Sequence, residues 1–395
     1  MTILFYRYNS ICEEDLITAF QSMGLSVVEI REEITNKEIL SSERVGLVDK
    51  EINTYHPLFV FSINFFPEIA ELCSIHGVFY LCLTVDSPVN QLFSESIKRP
   101  MNRIFLFDRA QYDRFSKYNP ECIFHLPLAS AVSRYNKVLE NRSFLEESKM
   151  KQFRNDISFV GSLYNEKNPL NDVEKRISDY TRGFVDGLVN IQKQIYGTNL
   201  LEQSLNDRCV KELKELLPEY FAFDKPVEDP NRYIAAHLIL GMELAEKERI
   251  ETLNALAENY HVTLYTRSDT SRLKKVDVRG GIRTHTEMPL VFRYSKINLN
   301  MTVRPIETGL PLRIFDIMGC GGFVMTNYQE ELADLFTIGE ELEVYASLEE
   351  LIEKCGYYLS HEEEREKIAG NGYEAVKKAH TWELRVRQMI SKVIG

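Results

Sequence analysis

Short apolar runs alternate with amphipathic stretches along the first third of the chain. Residues 2–7 (TILFYR), 26–30 (SVVEI), 58–63 (LFVFSI), 78–85 (VFYLCLTV), 103–107 (RIFLF) and 122–128 (CIFHLPL) predict strands. Between them, 13–23 brings Leu16, Ile17, Phe20 and Met23 to one helical face and is stopped by Gly24. Helices are also predicted at 67–76, which begins with Pro67, and at 110–117. Strands apolar on both faces and separated by helices predict a parallel sheet covered on both sides. A Rossmann-like domain is therefore expected over residues 1–145.

Residues 136–155 (NKVLENRSFLEESKMKQFRN) lose this periodicity, and an inter-domain linker is expected there. A strand in ISFVGSLY (157–164) opens a second α/β unit, expected over 156–379, with a strand-free helical insertion at 166–232. A long helix at 232–259, a strand at 261–266, a helix at 287–295 and a strand at 297–301 follow. Next come a loop (302–311), a helix (312–319), a strand (322–326) and a helix (328–335). Helices are predicted at 348–360, 361–379 and 381–393, and the terminal one, within 380–395, can return to the N-terminal domain. The expected fold is α/β: two Rossmann-like domains facing a cleft, the GT-B architecture, with a helical insertion in the second and a C-terminal helix. Ligands of such sheets bind outside the carboxyl ends of the strands. No repeat of solenoid or propeller length is present.

The 395 residues suffice for two cores, and 44% hydrophobic with 27% charged residues is a globular composition. The net charge of −12 argues against general nucleic-acid binding, which needs Lys and Arg to displace counterions. Seven scattered cysteines without C-x-x-C spacing predict a reducing compartment with neither a disulfide framework nor a zinc site. The opening MTILFYRYNS reads as a strand and not a signal peptide, and no run is long enough to span a bilayer. A cytoplasmic protein is expected.

The most informative segment is 298–332, NLNMTVRPIETGLPLRIFDIMGCGGFVMTNYQEEL. A strand ends at Met301, and a Gly/Pro loop leads into a helix near Leu312 with Pro311 at its start. The N–H groups of Gly309, Leu310, Leu312 and Arg313 then leave the helix start free to bind an anion. A diphosphate there would also meet Arg304 and Arg313, whose guanidinium forks suit phosphate oxygens. Asp316, about one turn on, is expected to project beside the phosphates and accept hydrogen bonds from ribose hydroxyls. A plain helix–turn–strand with Asp316 facing solvent is the structural alternative.

The run GLPLRIFDIMGCGGFVMTN resembles the donor-binding motif of GT-B glycosyltransferases, specifically those similar to the CgeB spore-maturation family. Their usual pattern has two glutamates with seven residues between them; here Asp316 stands at the ribose-binding position and Thr308 at the first. The first acid is lost or shifted to Glu307. DISFVGSLY (156–164) resembles the first strand and loop of the family's donor domain, and HTWELRVRQMI (380–390) its terminal helix. VFSINFFPEIAELC (60–73), FYLCLTVDSPV (79–89), RIFLFDRAQ (103–111) and FHLPLA (124–129) resemble the N-terminal domain usual ahead of it. The insertion with YTRGFVDGLVNIQKQIYGTNLLE (180–202) is similar to a version common in Firmicutes.

Other candidates follow from position. Loops after the first domain's strands present Asn9, Ser10, Asn64, Asp86, Ser87 and Asp108 to an acceptor. Asp86 is the candidate general base, or equally a turn former ahead of Pro88; Asp108, beside Arg109, is second choice, and His125 reads as a core residue. In the second domain, Gly161 and Ser162 follow the first strand, and Arg249 is either a phosphate contact or part of a solvated helix face. Tyr265, Gly281 and Ile282 are candidates for the base. No D-x-D occurs, which favours GT-B over the metal-dependent GT-A fold, so neither a metal nor a cofactor is expected.

The function expected is a glycosyltransferase moving a sugar from a nucleotide-diphosphate sugar, UDP-linked by preference, to a hydroxyl acceptor. That acceptor would belong to a cell-surface glycan, a spore or flagellar component, or a peptide. The alternatives are a nucleotide-sugar epimerase or hydrolase on the same fold, and a non-catalytic sugar-nucleotide-binding scaffold. The helical insertion offers a surface for self-association.

Overall fold

A computed structural model of the protein describes residues 1–141 and 150–394. Among the described residues, twelve strands form two wholly parallel six-stranded sheets. The first contains β1 (Thr2–Tyr6), β2 (Ser26–Ile30), β3 (Phe59–Ile63), β4 (Phe79–Leu83), β5 (Asn102–Leu106) and β6 (Ile123–His125), in the order β2-β1-β3-β4-β5-β6. The second contains β7 (Ile157–Val160), β8 (Val262–Tyr265), β9 (Asp277–Val278), β10 (Ile297–Asn300), β11 (Val324–Asn327) and β12 (Glu343–Tyr345), in the order β12-β11-β10-β7-β8-β9. Both are α/β sheets of the Rossmann kind.

Ten of these strands coincide with the apolar runs. The central ones are buried throughout, as strands covered on both faces must be. Two strands were not foreseen. β9 is two residues within a charged loop. β12 begins with Glu343, whose carboxylate is buried against the Tyr358 hydroxyl at 2.6 Å and Lys354 at 3.2 Å, so a core position reads as polar in the sequence.

The helix stops follow their local chemistry. Helix Glu13–Ser22 ends before Gly24, at φ 81°, and Pro67–His76 ends at Gly77, at φ 67°. Both glycines take the left-handed conformation that terminates a helix without a Cβ penalty.

The described residues group into two compact units: Met1–Ala129 with Phe223–Asp229 and His380–Gly395, and Ser130–Ala222 with Pro230–Ala379. Three expectations change. The first unit ends at Ala129 and not at 145, because helix Val132–Leu139 joins the second unit: Tyr135 bonds Asp316, and Asn136 donates to the Tyr373 hydroxyl at 2.9 Å. The expected linker, 136–155, is therefore helical up to Leu139; its part at 142–149 lies outside the described residues. Within the expected insertion, 166–232, Phe223–Asp229 belongs to the first unit. There Val227 N–H donates to the Phe93 carbonyl at 2.7 Å, and Glu228 accepts from Tyr118 at 2.6 Å, Arg114 at 2.8 Å and Lys117 at 3.0 Å.

Helix Trp382–Ile394 is part of the first unit, where Arg385 donates to the Pro127 carbonyl at 2.6 Å and Arg103 to that of Lys392 at 2.8 Å. Among the described residues, no helix is long and apolar enough to cross a membrane.

Candidate functional site

In the second unit, the segments after β7 and β10 and the start of helix Leu312–Gly319 carry the expected phosphate-binding residues. They are joined by Arg249, which lies mid-way along helix Gly241–Ala257. Its guanidinium donates to the Ser162 carbonyl after β7 at 2.6 Å and to the Met301 carbonyl after β10 at 2.7 Å. It stacks on Tyr164, 4.5 Å from the ring centre.

Arg249 is 8% exposed, pairs with no carboxylate within ion-pair distance among the described residues, and leaves its Nε–H without an acceptor there. Burial holds its pKa below the usual arginine value, although the nearby Tyr164 and Glu248 act in the opposite direction. The solvated-face alternative is thereby corrected: the run AEKERIETL looks like a polar helix surface, but Glu246, Glu248 and Arg249 are all buried.

Arg304 is also buried, at 5% exposure. It pairs with Glu248 at 2.7 Å, lies 4.0 Å from the ring centre of Tyr196, and has an Nε–H without an acceptor. Arg313, half-buried, sits over Phe292 and approaches Met288 Sδ at 2.8 Å and Asp316 Oδ2 at 3.3 Å. Gly309 and Leu310 are buried, whereas Pro311, Leu312 and Arg313 at the helix start are half-buried. Two buried guanidinium groups, a half-buried third and a helix N-terminus form a cluster at the carboxyl ends of the strands.

Asp316 does not project as expected. It is 3% exposed, with Oδ1 accepting from the Tyr135 hydroxyl at 2.5 Å and Oδ2 facing Arg313. One turn of helix does place it beside Arg313, but its side chain turns inward to Tyr135, just ahead of the expected linker. Gly319 permits the approach of that segment: a Cβ there would lie 1.9 Å from Ser130 Oγ.

The remaining second-unit candidates divide. Gly161 N–H donates to the Tyr265 carbonyl at 3.1 Å, and Gly161 itself lies beside Arg249. The Ser162 hydroxyl is taken by Glu166, so its carbonyl, not its hydroxyl, serves the cluster. The Tyr265 hydroxyl points to the Gln152 carbonyl at 3.2 Å and the Asn155 side chain, which corrects its assignment to a base. A Cβ at Gly281 would lie 2.6 Å from Arg267 Nε; Ile282 is half-buried beside it.

One group near Arg304 was not foreseen. Helix Asn231–Tyr233 continues into a π-helical stretch, Ile234–Leu240, before Gly241–Ala257. The π turn buries His237, stacked on Tyr233 at 4.2 Å, with Nε2 3.3 Å from Glu202 and 3.9 Å from Glu307. Asn199 donates to the Arg304 carbonyl at 3.2 Å, and a Cβ at Gly241 would stand 2.5 Å from Pro305. The helix and the insertion thus shape the loop carrying Arg304 and Glu307. Sequence hints existed only in the adjacent Gly241 and the lone His237.

In the first unit, Tyr8, Asn64 and Asp86 come together at the carboxyl ends of β1, β3 and β4. Asn64 adopts φ 56° and donates to Asp86 at 2.7 Å and to the Tyr8 hydroxyl at 2.9 Å. Asp86 is exposed. Burial, then the Asp86 charge, pushes the Tyr8 hydroxyl up, so it stays protonated.

Asn9 is exposed at φ 73°, and Ser10 N–H donates to the buried Glu13 at 2.9 Å. Ser87 and Asp108 are corrected. Both are buried, with Ser87 Oγ donating to Asp108 Oδ2 at 3.1 Å, while Asp108 Oδ1 caps helix Arg109–Phe115 through Ala110 N–H at 3.1 Å. They hold loops together and are closed to an acceptor.

Residues 247–391 match the family described as "Glycosyl transferase-like". No curated protein matches the chain in sequence. Among solved structures, sucrose-phosphate synthase from Thermosynechococcus elongatus is similar at a TM-score of 0.56 and 10% identity, over 99% of this chain and 98% of that one. A glycosyltransferase from Rickettsia africae gives 0.53 at 11% identity, over 99% and 97%. Anabaena HepE, solved in complex with UDP-glucose, gives 0.52 at 11% identity, over 100% and 99%. The chain therefore has the α/β fold of GT-B glycosyltransferases, and residues 247–391 carry a glycosyl transferase-like domain.

Proposed function

We propose that the protein transfers a sugar from a nucleoside-diphosphate sugar, with UDP as the preferred carrier, to a hydroxyl acceptor. The observation that carries this reading is Arg249. A buried guanidinium with no ion-paired carboxylate among the described residues is costly, and a diphosphate beside Arg304 and Arg313 would offset that cost. The glycosyl transferase-like match over 247–391 and the UDP-glucose complex of HepE, a fold relative, support the same ligand class.

Leaving-group charge on the β-phosphate would be met by Arg249, Arg304, Arg313 and the helix start at Leu312. Guanidinium groups take the place of a divalent ion in this scheme. Asp86, oriented by Asn64, is assigned as the base that removes the acceptor hydroxyl proton, which makes the transfer inverting. The GLPLRIFD run places the chain, within this proposal, in the CgeB-type branch, acting in the cytoplasm on a glycan or peptide acceptor.

Thermal melting against a panel of nucleotides and nucleotide sugars tests the ligand. A nucleotide at 100 times its Kd stabilises by about 2.7 kcal/mol, which a melting curve resolves. UDP and UDP-sugars should raise the midpoint, and product analysis should show transfer that persists in EDTA. An isomerised or merely hydrolysed sugar would replace transfer with epimerase or hydrolase chemistry, and no shift with any nucleotide would end the reading.

A further inference from the structure

A cavity of about 890 Å³ opens on the second unit, away from the arginine cluster. Its lining includes Asp156, Lys296 and Phe323, each just before the start of a strand (β7, β10 and β11), whereas the cluster follows the strands' other ends. The volume lies in the range of small-molecule sites.

The floor is polar and fixed. Asn155, Ser295 and Arg365 are each 5% exposed. Asn155 donates to Ser295 Oγ at 3.0 Å, and Arg365 donates to the Tyr358 carbonyl at 2.6 Å. The rim carries exposed cations: Arg293, donating to the Gly321 carbonyl at 3.0 Å, and Lys296, 2.8 Å from Asp156. Glu362 and Glu366 stand across from them on helix Glu362–Ala379.

This mixture narrows the ligand. A bare anion would satisfy Arg293 and Lys296 but face the carboxylates, and a neutral sugar would leave the charge of Arg293 matched, among the described residues, only by the Gly321 carbonyl. A molecule with a phosphate at one end and hydroxyls at the other satisfies both, since hydroxyls donate to carboxylates and Asn155 while the phosphate takes charge-assisted bonds. We propose that this cavity binds a small phosphorylated sugar, with the phosphate on Arg293 and Lys296. The proposal does not depend on what the arginine cluster holds.

Isothermal titration with ribose 5-phosphate as the probe tests it, with ribose and inorganic phosphate titrated separately. Saturable binding to the wild-type protein is expected, weakened at least about tenfold in Lys296→Glu and in Arg293→Gln and retained in Arg249→Met. Ribose and phosphate should each bind at least about tenfold more weakly than the ester. Lys296 is an exposed rim residue, and equal melting temperatures would show that its variant folds. Absence of saturable binding, or undiminished binding in folded Lys296→Glu, would overturn the site. Loss in Arg249→Met alone would move the ligand to the other end of the sheet and overturn it as well. Phosphate binding as tightly as the ester would overturn the assigned ligand.

Discussion

The Tyr135 hydroxyl stands 2.5 Å from Asp316 Oδ1, with both side chains buried. It ties the segment just after the first unit to the helix that bears Arg313. Tyr135→Phe removes a donor to a buried carboxylate and should cost about 1–3 kcal/mol. Urea unfolding should show a lower midpoint with an unchanged m-value. An unaltered midpoint would mean that the contact contributes nothing to stability.

Arg249→Met should separate binding from stability. The variant keeps most of the aliphatic stem and removes a buried charge with no ion-paired carboxylate among the described residues, which offsets the loss of two hydrogen bonds to carbonyls, so its melting temperature without ligand should stay close to that of the wild type. Its affinity for UDP should fall by about 1.5–3 kcal/mol, roughly 10- to 150-fold. A variant that melts lower but binds UDP normally would make Arg249 a purely structural tie between the segments after β7 and β10.

Asp86→Asn should do the opposite of Arg249→Met. The carboxylate is exposed and bonded to Asn64, so folding and UDP affinity should be unchanged. Loss of a general base should lower kcat by about 10²- to 10⁴-fold. Single-turnover transfer with saturating sugar donor measures this, and a rate within twofold of wild type would remove Asp86 from the chemistry.

Stability should fall in alkali. Burial raises the hydroxyls of Tyr80, Tyr135 and Tyr345 well above their ordinary value of 10.0, and the Cys355 thiol is pushed from 9.0 up to about 12. The folded state keeps these protons after the unfolded chain has lost them. Their contribution is complete below pH 9 and lost as pH rises, from about pH 9 for the thiol and about pH 10 for the phenols. Each group adds a slope of roughly 1.4 kcal/mol per pH unit in its window. Urea midpoints from pH 8 to 11 should drop, less steeply above pH 10 in Tyr345→Phe; an identical slope there would contradict the burial argument.

The apolar runs make most of the fold legible, because strands buried on both faces are predominantly apolar, and their few polar residues, such as Ser158 and Asn298, are hydrogen-bonded to one another. β12 escapes because Glu343 is buried with its own partners, and β9 because two residues carry no period. Spacing correctly puts Asp316 near Arg313, but its inward turn depends on Tyr135, which no local pattern pairs with it. Asp108 looks accessible after a strand, yet it is consumed as a helix cap. For Arg249 the misleading signal is composition. Charged residues at helical spacing imply solvent unless the surrounding chain, including the insertion, closes over them.

The π-helical turn has a consequence for redesign. Because Gly241 abuts Pro305, while His237 and Asn199 contact Glu307 and the Arg304 carbonyl, the loop is cast against a mould made of two other segments. Exchanging residues 302–311 alone with those of a relative would leave the new loop without its complementary surface. The transferable unit is the loop together with that mould, so a graft of this loop must carry 199–202 and 233–241 with it.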